Sequence, residues 1–124
     1  MDWGKSPLAH EICEILDDKK ALDIIALDIS NLTVVADYFI ICSARTSIAV
    51  RALCEDIQAQ IQKSGLHPRR VEGQSAGRWI VIDYGDVVVH IFHLEEREFY
   101  RLESLWMRMD NFEAYGTEKS DVSA

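Results

Sequence analysis

Apolar residues fall at helical spacing near the start of the chain. Leu8, Ile12, Ile15 and Leu16 recur at i, i+4, i+7 and i+8 behind Ser6-Pro7, an N-cap followed by proline at the first helical position. This helix should end between Asp17 and Lys20. The pattern then changes to two short, nearly continuous apolar runs, Leu22–Ile29 and Tyr38–Cys42, whose length and isoleucine content predict strands buried on both faces. From Ser47 to Ser64 the helical period returns, with Val50, Leu53, Cys54, Ile57 and Ile61 on one stripe. Gly65 should close that helix in the left-handed conformation, and Pro68 prevents its continuation.

A short strand is expected over His67–Glu72 and a flexible loop over Gly73–Gly77. Arg78–Asp83 and Val87–His93 are two apolar runs joined by Tyr84-Gly85-Asp86, which predicts a β-hairpin. Leu94–Met109 reads as one helix with Phe99, Leu102, Leu105, Trp106 and Met109 on one face. From Tyr115 onward the residues are small and polar, so residues 1–114 form the expected domain and 115–124 a disordered tail. This order of elements predicts one α/β domain with a mixed sheet of about five strands, because a helix between strands allows a parallel crossover while the hairpin is antiparallel.

Length and charge narrow the function. A chain of 124 residues is enough for one domain with a real core. The formal net charge is −8, with only Lys19-Lys20 and Arg69-Arg70 as basic pairs. Gripping phosphates needs clustered lysine and arginine, so nucleic acid is disfavoured as the main contact and a basic protein partner is favoured. No apolar run is long enough to span a bilayer, and the first residues lack the order of a secretory signal. Cys13, Cys42 and Cys54 sit inside apolar patterns without Cys-x-x-Cys spacing, which suits reduced thiols and a cytoplasmic setting.

Candidate chemistry is thin. His90 and His93 are three apart on a strand, which sends them to opposite faces, so no metal site is expected from them. His90 should be a partly buried strand histidine with a hydrogen-bond partner. Asp83 and Asp86 flank the hairpin turn and could hold a divalent ion, but aspartate is common in turns because its side chain bonds nearby backbone amides. Ser43–Ser47 occupies the place of a phosphate loop and contains no glycine, so its serine and threonine are expected to cap the following helix. No cofactor is expected. Trp79, Tyr84, Phe99, Tyr100 and Trp106 instead crowd with acidic residues and arginines into one stretch, the composition of a binding hot spot. Phe99 and Trp106 are expected in the core, and Tyr84 is expected to be exposed.

These residues resemble a known family. Glu72-Gly73, Trp79 to Asp83, Tyr84-Gly85-Asp86, His90-Ile-Phe, and Arg97-Glu-Phe-Tyr100 through Glu103 to Trp106 look like the ribosomal silencing factor (iojap-like) family. Lys20–Asp28 and Ala36–Cys42 match upstream. Where many members carry Cys-x-Gly, this chain has Cys42-Ser43-Ala44, and its tail beyond Trp106 follows no family pattern. The resemblance implies a non-enzymatic cytoplasmic protein with a nucleotidyltransferase-like fold and a tendency to homodimerise. Its implied partner is the large ribosomal subunit, bound through protein fourteen, so that the small subunit cannot join and translation falls when nutrients are short. The expected contact residues are Trp79, Asp83, Tyr84, Asp86, His90, Tyr100 and Glu103. The alternative from a different class is a metal-dependent nucleotidyltransferase using Asp83 and Asp86.

Overall fold

In the computed structural model, which describes residues 6–116, Ser6 opens the first helix as its sequence predicts: its hydroxyl accepts a hydrogen bond from the Ala9 N–H at 3.1 Å. Helix α1 spans Pro7–Asp18 and buries Ala9, Ile12, Cys13 and Leu16. It ends in a Schellman motif, with Ala21 N–H bonded to Leu16 O, Lys20 N–H bonded to Asp17 O, and Lys20 left-handed at φ 64°.

Strands β1 (Leu22–Asp28) and β2 (Tyr38–Ala44) follow, then helix α2 (Ser47–Gln62), strands β3 (Arg70–Glu72), β4 (Trp79–Asp83) and β5 (Val87–His93), helices α3 (Leu94–Tyr100) and α4 (Leu102–Trp106), and strand β6 (Phe112–Tyr115). Thr46 caps α2 by accepting from the Ala49 N–H at 3.0 Å, and Gly65 takes φ 87° beyond its end. The sheet runs in the order β3-β4-β5-β2-β1-β6, so the α/β class and mixed sheet are as expected. Among the described residues only β2 and β5 are parallel, and α2 lies in the chain that links them.

Two departures matter. Among the described residues the sheet has six strands rather than about five, because Phe112–Tyr115 adds to the free edge of β1. Asn111 sets this pairing: its side-chain amide donates to Asp28 O at 3.1 Å and to Trp106 O at 2.9 Å. The expected helix Leu94–Met109 is broken at Arg101, which sits left-handed at φ 48° between α3 and α4. The break destroys the predicted apolar stripe, leaving Phe99, Leu105 and Met109 exposed. The expected tail lies outside the described residues from residue 117 on, while Tyr115 ends β6.

The two faces of the sheet are covered unequally. Helices α1 and α2 seal the first against Ile24, Ile40, Ile80, Ile82, Val89 and Ile91. The second face carries Ile25, Leu27, Phe39, Ile41, Val88 and Phe92, over which Trp79, Val81, Leu102, Trp106 and Met107 are only half-buried. The three cysteines are buried free thiols, and burial pushes Cys42 up to about 12, as expected for packed, unreactive sulfur. Among the described residues no helix is long and apolar enough to cross a membrane.

Candidate aromatic recognition site

Strand alternation builds the site. Along β5, Val89 and Ile91 turn toward the helices, whereas His90 and Phe92 face the other way; on β4, Trp79 and Val81 join them. Trp79 stands opposite Phe92 in the ladder, and the two rings stack with centroids 4.7 Å apart. Tyr100, at the end of α3, lies on Trp79 at 4.9 Å, and Phe99 meets Tyr100 edge-on at the same spacing. These last two rings are 49% and 78% exposed, so the cluster runs from the core to solvent. Phe99 is therefore not a core residue as expected. Trp106 does pack as expected, with its ring 5.5 Å from that of Phe39.

Beneath this stack His90 is buried, as the sequence suggested, and has a hydrogen-bond partner: its Nδ1 accepts from the Trp79 indole N–H at 3.1 Å. Its Nε2 has no hydrogen-bond partner among the described residues. Burial holds its pKa down at about 4, against an ordinary value near 6.5. The ring is therefore neutral at pH 7, and because Nδ1 accepts, the proton sits on Nε2. His93 has a separate task, accepting from the Glu95 N–H at 3.1 Å to cap α3.

The other expected contact residues are dispersed. Asp83 and Asp86 lie at the far end of the hairpin; Asp83 is about 13 Å from Trp79 at the usual rise of a strand, and Asp86, in the turn, is further. Asp83 is engaged in the turn: Oδ1 accepts from the Gly85 N–H at 2.8 Å, and Oδ2 lies 3.6 Å from Arg70 Nε. The Asp86 side chain is exposed while its carbonyl accepts from the Asp37 and Tyr38 N–H groups. Tyr84, expected to be exposed, is only 8% accessible because it continues the alternation of Ile80 and Ile82 and packs with them on the helix side. Burial pushes its hydroxyl up to about 12. Glu103 pairs with Arg97 at 3.2 Å, and Arg97 reaches on to the Ser43 hydroxyl at 3.3 Å.

That last chain of contacts is what the sequence did not reveal. It clamps α3 to α4 across the Arg101 break and ties both to the centre of the sheet through β2, so it fixes where Tyr100 stands. Arg97 and Ser43 are 54 residues apart, and no local signal links them. The Gly73–Gly77 loop, expected to be flexible, is closed by a Gly77 N–H to Gly73 O bond and held by Arg51, which donates to Ser75 O. His93, Glu95 and Glu96 bring three ligand atoms within 4.8 Å, but the Arg78 guanidinium lies 3.0 Å from Glu95 and 2.6 Å from Glu96, where a cation would sit.

The family model described as "Ribosomal silencing factor during starvation" matches residues 4–123, so the segment beyond Trp106, expected to follow no family pattern, is matched as well. The chain is 46% identical over 90 residues to the ribosomal silencing factor RsfS of Bacillus subtilis, which covers 73% of this chain and 76% of that protein. A crystal structure of a Chromobacterium violaceum protein superposes with a TM-score of 0.74 at 33% identity, covering 90% of this chain and 92% of that one. A more distant relative, 29% identical over 77% of this chain and 43% of its own length, is the mouse mitochondrial assembly of ribosomal large subunit protein 1.

Proposed function

The chain belongs to the ribosomal silencing factor family, and from that premise we propose that it binds the large ribosomal subunit through the basic protein fourteen and by its bulk keeps the small subunit from joining. It acts in the cytoplasm and lowers translation when nutrients are short. The observation that carries this is the aromatic cluster on the less covered face of the sheet, where Trp79, Tyr100 and Phe99 reach solvent from a rigid strand and helix. Large aromatic side chains at a protein surface are the residues most enriched where binding energy concentrates.

Size and charge support the same mechanism. A domain of this length has a radius of gyration of roughly 14 Å, and a body about 35 Å across cannot fit between two subunits that touch. A patch of about 800 Å² on each partner is enough for stable attachment, and no turnover is needed. A net charge of −8 favours encounter with a basic ribosomal protein over ribosomal RNA.

The contact surface we assign has Trp79 and Tyr100 as anchors, His90 beneath them, and Asp83 and Asp86 as an acidic margin at the hairpin end. Phe99 joins the anchors. Tyr84 and Glu103 serve this surface from inside, one by seating the hairpin under α2 and the other by holding Arg97. A second copy of the chain is a further partner in this proposal. Tyr100→Ala should weaken co-sedimentation with purified large subunits about tenfold while leaving the thermal midpoint close to wild type, because the side chain is half-exposed. Undiminished co-sedimentation would remove this face from the contact.

A further inference from the structure

His90 poses a specific question. Its ring is enclosed by Phe39 at 4.6 Å, Trp79 at 6.0 Å and Phe92 at 6.4 Å, measured between centroids. The acceptor nitrogen is used by Trp79, and the Nε2 donor has no acceptor among the described residues. Native proteins leave few buried donors without a partner, and each one asks for a reason. Nδ1 is bonded directly to Cγ, so Nε2 is among the ring atoms furthest from the backbone and points away from the sheet. Of the three rings around it, Phe39 and Phe92 are buried and only Trp79 reaches solvent. Tyr100 rests on Trp79 and carries this cluster out to solvent.

Resting on the function proposed above, we infer that His90 Nε2–H is a recognition donor, satisfied when a loop of the ribosomal protein partner places a main-chain carbonyl beside Trp79 and Tyr100. The occupant follows from the chemistry of the donor. One neutral N–H among aromatic rings suits one neutral acceptor. A phosphate or carboxylate would have to lose its hydration without meeting a positive charge. Trp79 has two parts in this site: its ring forms the wall against which the partner packs, and its indole N–H holds His90 in the one neutral tautomer that can donate outward. The arrangement also reads position, because a partner that packs on the aromatics without a correctly placed carbonyl leaves the donor unpaired and gains little.

The test compares wild type, His90→Phe and His90→Asn in co-sedimentation with purified large subunits, with thermal unfolding alongside. Phenylalanine keeps the packing and removes the donor; asparagine can still accept from Trp79 and donate from its amide. Binding of His90→Phe should weaken about tenfold, the effect of leaving one buried carbonyl unpaired, with no fall in its unfolding midpoint. His90→Asn should stay within about threefold of wild type. Wild-type affinity in His90→Phe, or equal losses in both variants, overturns the role of the donor. Failure of the wild-type protein to sediment with the subunits overturns the functional proposal instead. Should His90→Phe not fold, exchange of the His90 Cε1 hydrogen in the wild-type protein decides the matter by mass spectrometry. It should slow several-fold in the subunit complex, and an unchanged rate overturns the inference.

Discussion

Replacing Gly73 with alanine should destabilise the protein by about 3 kcal/mol, read as a lower urea midpoint at an unchanged m-value. Gly73 follows β3 directly and adopts φ 91°, where an L side chain is strained. A Cβ at that position would also lie far inside the carbon–oxygen contact distance from the Trp79 carbonyl oxygen and press on the Ile80 Cα. Strain alone accounts for roughly 1–2 kcal/mol. The remainder comes from displacing β4 at the residue that carries the aromatic cluster. Gly65→Ala is the control: φ is 87°, but nothing lies within 4 Å of the added carbon, so only the strain remains and the loss should be about 1 kcal/mol. Equal effects of the two substitutions would show that the backbone contact with Trp79 is unimportant.

The second large effect is on acid stability. In the unfolded chain His90 titrates near 6.5, while burial in the folded protein lowers this to about 4. Between those values the unfolded state binds the proton and the folded state does not, so stability rises with pH across the window. Above pH 6.5 the histidine has no effect of this kind. As the pH falls from 6.5 through 4 the native state loses about 3 kcal/mol, and the loss is complete below the folded value. Carboxylates titrate in part of the same range, so the quantity to measure is the difference between the wild-type and His90→Asn stability profiles. That difference should open in favour of the variant as the pH drops from 6.5 to 4. Parallel profiles would show that His90 is not held neutral by burial.

The same residues show what could be read in the chain and what could not. Periodicity gave α1, β1, β2, α2 and the β4–β5 hairpin, because each buries a regular set of positions. Tyr84 could also have been read correctly: Ile80, Ile82 and Tyr84 alternate, and the period outweighs the turn chemistry that suggested exposure. The break at Arg101 was not legible. No glycine or proline marks it, and the left-handed residue lies within contacts made elsewhere, chiefly Arg97 with Glu103 and Ser43. Strand β6 was missed because Phe112–Tyr115 is only four residues long and straddles the expected domain boundary at 114, and its place beside β1 emerges only once Asn111 is seen bonded to Asp28, 83 positions away. Of the seven expected contact residues, only Trp79, His90 and Tyr100 come together, since a surface depends on strand parity and long-range packing that a linear cluster does not encode.

The central claim is that this protein acts by occupying the large subunit. The direct measurement is sedimentation of purified large and small subunits, mixed under joining conditions with increasing amounts of the protein. Occlusion predicts that joined ribosomes decline as the protein approaches saturation, that it travels with the large subunit alone, and that Tyr100→Ala needs about ten times more protein for the same decline. Full joining at saturating wild-type protein bound to the large subunit would contradict it.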